Sequence, residues 1–291
     1  MEEKKLKYIF LLPVFVFLLA FIIFPLAYSI YLSFHRCGLT HPEIGTPFVG
    51  IGNYWELLSS PEFWDSTLKT LGFVAGSVLF SFLLGLGLAL SLVRVTRLKE
   101  FFRTAFVIPT IMPPIVIGLL WRFMLHPHLG IIDYLLSQVG FPPHMAWLGN
   151  PSTALFSLMV IDVWEWMPLM MLIMLAGLMS IPKAPFEAAK VDGLSRWTTF
   201  RKLTVPMIKP MMIVAILIRT MDAFRTFEII YTGTKGGPGT ATKTWEFFAY
   251  RIGWEYFNMG LASAFSIIML FLIIGLCMLL LRSFRRGVQI G

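Results

Sequence analysis

Charge and cysteine are both scarce in this chain. Asp, Glu, Lys and Arg make up only 14% of its 291 residues, while hydrophobic residues make up 57%. With a mean hydropathy of +0.77, that balance excludes an ordinary soluble domain and points to a membrane protein. Of the two cysteines, Cys37 ends the first apolar run and Cys277 lies inside the last. They fall at depths separated by much of the roughly 30 Å hydrocarbon layer, which excludes a disulfide between them. His126, His128 and His144 share one polar stretch, but without cysteine or a repeated ligand spacing they read as a solvated loop, not a metal site. There is no Gly-rich phosphate loop, so ATP would have to be bound by another chain, and the chain itself needs no cofactor. There is no HExxH, GxSxG or paired Cys/His constellation either, which leaves an intramembrane enzyme without support and no catalytic residues to assign. The net charge of +8 is scattered along membrane-adjacent stretches and not gathered in a basic domain, so it is a topology signal and not a nucleic-acid one.

What the sequence has instead is long apolar runs. A helix needs about 20 apolar residues to cross a bilayer, and six runs qualify: 8–34, 70–93, 104–125, 153–178, 207–232 and 261–281. The first follows Lys4, Lys5 and Lys7 as a signal peptide would. Its apolar stretch is too long for one, and Pro25 and large residues flank the only candidate cleavage site, so it is read as a span. The expected fold is an all-α integral membrane protein of six transmembrane helices in a single domain, embedded in the lipid bilayer. Sixteen of the 24 lysines and arginines fall on the side of the N-terminus, five on the opposite side and three within spans. The excess of basic residues marks the cytoplasmic face, so both termini are expected there.

The spans are not uniformly apolar. Ser77, Ser81, Gly85 and Ala89 recur every four residues in the second, with Gly72 and Gly76 beside them, a small-residue stripe that lets helices pack closely within the chain. Pro109, Pro113 and Pro114 predict a kink or break in the third, which is tolerated at membrane depth where the backbone lines a cavity. In the fourth, Asp162, Glu165, Trp166 and Leu169 share one helical stripe. In the fifth, Arg219, Asp222, Ala223 and Thr226 do the same, with Arg225 and Glu228 close by. Ionisable groups in hydrocarbon cost several kcal/mol, so these should face protein, water or one another. One reading is a structural ion pair of Asp162 or Glu165 with Arg219. The other is a ligand site, since Trp164, Trp166 and Phe224 lie among the charges, and aromatic faces beside carboxylates and a guanidinium suit sugars.

Between the fourth and fifth spans lies the polar, basic stretch 182–206. Pro182 and Pro185 suit a helix start, Gly193 a helix end with φ > 0, and Ser195 the N-cap of a second short helix. The result is a bent element standing out of the membrane on its basic side, a handle that another protein could grip.

Glu187-Ala188-Ala189, three residues, Gly193, nine residues and Leu203-Thr204-Val205-Pro206 together resemble the signature of binding-protein-dependent ABC importer permeases. The later stretch Phe224-Arg225-Thr226-Phe227-Glu228 with Thr234-Lys235-Gly236-Gly237-Pro238 resembles the maltose-type, carbohydrate-uptake group of that family. The resemblance spans the chain and implies the type I ABC importer permease fold in a bacterial or archaeal cytoplasmic (inner) membrane. It implies import of a sugar, an oligosaccharide or related polyol, by alternating access. The implied partners are a second related permease, two cytoplasmic ATPase subunits that bind ATP and Mg, and an extracytoplasmic solute-binding protein. Glu187, Ala188, Ala189, Asp192 and Gly193 would dock on the ATPase. The family's sugar-contacting positions land on Asp162, Glu165, Trp166 and Leu169, and on Arg219, Asp222, Ala223 and Thr226, the same residues as the two stripes. The competing class is a proton-coupled secondary transporter that uses Asp162 and Glu165 as relays.

Overall fold

The structure is a computed structural model and describes residues 2–40, 45–94 and 99–286. Arg97, one of the basic residues counted above, lies outside the described residues. The described residues form helices and no strand beyond two isolated bridges, His35 with Phe48 and Gly38 with Asn258. In chain order the helices are α1 (Glu2–Leu18), α2 (Phe24–Ser33), α3 (Gly52–Ser59), α4 (Pro61–Arg94), α5 (Lys99–Ile111), α6 (Pro114–Met124) and α7 (Ile131–Gln138). They continue with α8 (Pro151–Met179), α9 (Ala184–Val191), α10 (Arg196–Thr199), α11 (Val205–Ala223), α12 (Glu228–Gly233), α13 (Trp245–Tyr250) and α14 (Met259–Arg286).

Among the described residues, five helical stretches are long and apolar enough to cross a membrane: Phe10–Ser33, Pro61–Val93, Pro151–Met179, Arg196–Ala223 and Met259–Arg282. The sixth expected span is the pair Thr104–Ile111 and Pro114–Met124, bent by 102° between them. Pro113, in extended backbone, and Pro114 at the start of α6 account for that break, because neither can donate to the preceding turn. Two other prolines are absorbed without a break. Pro25 and Pro206 each follow a wide π turn, Leu19–Ile23 and Phe200–Thr204, closed by Phe24 N–H on Leu19 O and Val205 N–H on Phe200 O. A proline ring presses on the carbonyl four residues back, which here is Phe21 or Lys202, inside the π turn in both cases; the wider turn relieves that clash.

The chain divides into two compact units. The first comprises residues 1–65 and 248–274. In it Asn53, buried, donates to Ser33 O and His35 O at 2.9 and 3.0 Å, tying α3 to the end of α2. Phe265 of α14 meets Phe63 and Phe248 edge-on at 5.6 and 5.3 Å.

The second unit, residues 66–247 and 275–291, holds the site. The small-residue stripe of α4 packs on α8, as the four-residue spacing predicts. A Cβ on Gly85 would sit 2.7 Å from Met170 Cβ and 2.9 Å from Met171 N, so only glycine lets the two backbones come this close. Ala89, Leu92, Met170, Met171, Met174, Leu175 and Ala215 form the buried core shared by α4, α8 and α11. Gly118 plays the same part between α6 and α12, where a Cβ would lie 3.4 Å from Ile229 Cα. The fifth span is shorter than the apolar run predicts. Its helix ends at Ala223 and the chain breaks before α12, so residues 224–227 are not part of a continuous helix to 232.

Candidate functional site

Helix α8 starts on Asn150, whose side chain accepts from Ser152 N–H at 3.0 Å, and Pro151 follows in its first turn, where no donor is lost. Apolar residues all round then carry α8 into the interior of the second unit, and with it Asp162 and Glu165, which are 0% and 2% exposed. Helix α11 runs beside it and brings Arg219, 1% exposed. The Arg219 guanidinium contacts the Asp162 carboxylate directly, and its Nη2 also donates to Ser77 Oγ of α4 at 2.6 Å. Ser77 in turn donates to Asp162. The other arm of the fork, Nη1, donates to Asp222 at 2.9 Å, and the guanidinium carbon stands 5.5 Å from the centre of the Trp166 ring. Thr226 Oγ1 completes the set at 3.4 Å from Asp162 Oδ1. Taking these charges out of water costs several kcal/mol per ion, which only a pair with its remaining hydrogen bonds met can offset. Three helices are therefore tied at one point.

A cavity of about 190 Å³ opens beside this knot. Asp162, Glu165, Trp166, Asp222 and Thr226 line it, as the two stripes predict, together with Pro114, Arg225, Glu228 and Ile229. Arg219 stands behind the wall and holds the two aspartates. Leu169 and Ala223 do not line it. Leu169 lies one turn further along α8, and Ala223 is buried at the last residue of α11. Two buried side-chain atoms here have no partner among the described residues: Arg219 Nε and Glu165 Oε2. Arg225 and Glu228 complete the wall. Both lie, like Thr226, beyond the end of α11, where helical period no longer decides which side chains line the cavity; their charge was the signal. Beyond the spans, burial pushes the Glu246 carboxyl of α13 above its ordinary range; the Arg225 guanidinium opposes that and Glu228 adds to it.

The stretch between α8 and α11 forms the two short helices predicted for it. Gly193 has φ +68°. Gly193 N–H donates to Lys190 O at 3.2 Å and Leu194 N–H to Ala189 O at 2.9 Å, the paired bonds that close a helix on a left-handed residue. Ser195 caps α10, accepting from Thr198 N–H at 3.2 Å. Glu187, Ala188 and Asp192 are exposed and Ala189 is buried. The same surface carries two apolar side chains that motif reading passes over, Val191 and Trp197, 88% and 69% exposed. Their hydrophobicity at a solvent-facing bend is the signal that marks them.

Cys37 and Cys277 are both free thiols. His126 and His144 use ring nitrogens on backbone groups: His126 Nδ1 accepts from His128 N–H at 3.2 Å, and His144 Nδ1 lies 2.8 Å from Pro127 O.

Residues 81–288 match the family described as "Binding-protein-dependent transport system inner membrane component". The chain is 39% identical to the trehalose/maltose transport system permease protein MalF of Thermococcus litoralis, over 98% of this chain and 96% of that one. It is 34% identical to the trehalose transport system permease protein SugA of Mycobacterium tuberculosis, over 92% and 85%. Its fold is that of a chain in the crystal structure of a bacterial ABC transporter involved in the import of the acidic polysaccharide alginate, with TM-score 0.84, 24% identity, and 98% and 96% coverage. These relatives speak against a proton-coupled carrier. The chain is a multi-pass membrane permease, not an enzyme, and it belongs to the inner membrane components of binding-protein-dependent ABC import systems.

Proposed function

We propose that this chain forms half of the translocation path of an ATP-driven sugar importer in a bacterial or archaeal cytoplasmic membrane. A second permease completes the path, two ATPase subunits bind ATP and Mg inside, and a solute-binding protein delivers the sugar outside. Relatives named for trehalose and maltose support the substrate class. The observation that carries the reading is a cavity walled together by Glu165, Trp166, Asp222 and Thr226, carboxylates, an indole and a hydroxyl on one surface. The carboxylates and the Thr226 hydroxyl supply hydrogen-bonding partners for ligand hydroxyls. The ring of Trp166 offers a face for the C–H side of a pyranose. At about 190 Å³ the cavity is smaller than most ligand sites, which fits a half-site closed by the partner permease.

Coupling follows from connectivity. Helices α8 and α11 both carry residues of the knot, and both run directly to the element of α9 and α10. The exposed Glu187, Ala188, Asp192, Gly193 and Val191 form its docking surface for the ATPase. ATP-driven closure of the ATPase dimer displaces that element, α8 and α11 pass the displacement to Asp162 and Arg219, and the cavity opens to the outer face. Hydrolysis reverses the step. Uptake of trehalose or maltose by the reconstituted complex tests the site. Trp166→Ala and Asp222→Ala are each expected to cut uptake at least tenfold while leaving assembly and ATP binding intact. Wild-type uptake with either variant would overturn the assignment.

A further inference from the structure

A second cavity lies at the far ends of α6 and α12, two of the helices that wall the first. It has a volume of about 330 Å³ and is bounded by Arg122 and His126 after the long axis of α6, by Trp147 before α8, and by Thr234 and Pro238 after α12. The first cavity meets the same two helices at Pro114 of α6 and Glu228 of α12. From Glu228 to Gly233 is five residues, about 7 Å along a helix axis, so the two cavities follow one another along α12.

Its wall is built and not incidental. Asp133, buried in α7, accepts three bonds that fix the loop carrying Trp147: from His144 N–H at 2.9 Å, Met145 N–H at 3.1 Å and the Trp147 indole Nε1 at 3.3 Å. The Trp147 carbonyl accepts from Thr153 Oγ1 at 2.8 Å, which fastens the same residue to the first turn of α8. Gly130 makes room for the fold of the loop, since a Cβ there would come within 2.6 Å of His126 O. Opposite, Arg122 Nη1 donates to Thr232 O at 3.2 Å, which sets the guanidinium at the cavity edge. An anchored aromatic ring and an anchored fork of donors lining one cavity with few charges can bind a sugar ring by one face and its hydroxyls by the rim.

We propose that this cavity is a second saccharide subsite, which holds the sugar before or beside the inner cavity, with Trp147 as its platform, Arg122 as its hydroxyl-binding group and Asp133 as a positioning residue. This rests on the reading of the chain as a sugar permease, with the inner cavity as its first subsite. The two subsites in line would hold successive units of an oligosaccharide, or let one sugar step inward.

The test is equilibrium binding of radiolabelled trehalose and maltose to the purified complex of both permeases and the ATPases, with no binding protein present. Two sites per copy of this chain are expected. Trp147→Ala should weaken one of them about tenfold and Trp147→Phe should largely keep it. Ala146→Trp, which fills the cavity from its exposed edge without touching the Asp133 bonds, should remove the same site, and guards against a folding defect in the first variant. Asp222→Asn should affect only the other. Wild-type stoichiometry in Trp147→Ala and Ala146→Trp, with Asp222→Asn impaired, overturns the second subsite and leaves the sugar-permease reading standing. If Asp222→Asn is also silent, or no saturable binding occurs, the inner site falls and this proposal with it. If sugar binding is unchanged but the variants fail to engage the loaded binding protein, the cavity receives a protein side chain and the proposal is again overturned.

Discussion

At the scale of single residues, Arg219 decides the most. Its fork holds aspartates from two places on the chain and a serine from a third, so its removal leaves Asp162 buried beside Ser77 with no counter-charge. Breaking one member of a buried pair costs about 3–5 kcal/mol, whereas replacing both with apolar groups is far cheaper. The assembled complex carrying Arg219→Met is therefore expected to lose thermal stability sharply, and Arg219→Met with Asp162→Leu to recover most of it. If the double variant is no more stable than the single one, the pair is not the tie described here. The identities of these residues were legible in the sequence because charge inside an apolar run has few explanations. Their partnership was not. Ser77 reads as one more small residue in a packing stripe, and nothing in its spacing shows that its hydroxyl sits between Asp162 and Arg219. Asp162 and Arg219 form the structural pair of the first reading, while Glu165, Trp166, Asp222 and Thr226 line the cavity on which the proposed ligand site rests.

At the scale of elements, prolines and glycines were informative and periodicity less so. Pro113 and Pro114 gave the break in the third span, and Gly193 gave the left-handed turn that ends α9. The fifth span was overextended, since apolar residues continue past Ala223 through Ile229 and Ile230 although the helix does not. Hydropathy cannot report a break when the residues on both sides are buried. The turn at Gly193 also offers a test of the docking surface. Gly193→Val places a β-branched residue at φ +68°, which costs at least about 1–2 kcal/mol locally, and Glu187→Lys reverses a charge on the exposed face of α9. Either change should leave the chain in the membrane and reduce co-purification of the ATPase subunits. Full recovery of ATPase with both variants would show that the subunits bind elsewhere.

At the scale of the whole molecule, five spans and a bent pair at the place of the sixth were legible as apolar runs, because apolar length is imposed by the bilayer and not by the fold. Orientation rests on the sixteen-to-five distribution of basic residues. With Cys37 and Cys277 replaced, single cysteines introduced at Ser195 should react with membrane-impermeant reagents only from the cytoplasmic side, and those at His144 or Gly237 only from outside. Outside labelling at Ser195 would invert the topology and with it the direction of transport. The second cavity was invisible to sequence reading for a different reason. Its walls come from three separate loops, and Asp133, which organises one of them, carries no motif. Burial raises its pKa, but the N–H groups of His144 and Met145 and the Trp147 indole outweigh that and hold it below the ordinary range. The ionised anchor therefore lends the loop stability at any pH above the normal carboxylate value, and gives it up only as the solution turns strongly acidic.

The π turn at Phe200–Thr204 has a consequence for phasing. Each residue of an α-helix advances the side-chain direction by about 100°, and a π turn accommodates one residue more than an α turn would. α11 thus leaves the α9–α10 element with its angular setting fixed by that extra residue. Removing one residue from 200–204 would restore regular winding and swing Arg219 about a quarter-turn or more away from Asp162, without altering a single amino acid in the knot. The insertion behaves like the offset between two gears on one shaft: it sets which face of α11 meets α8, independently of what either face is made of.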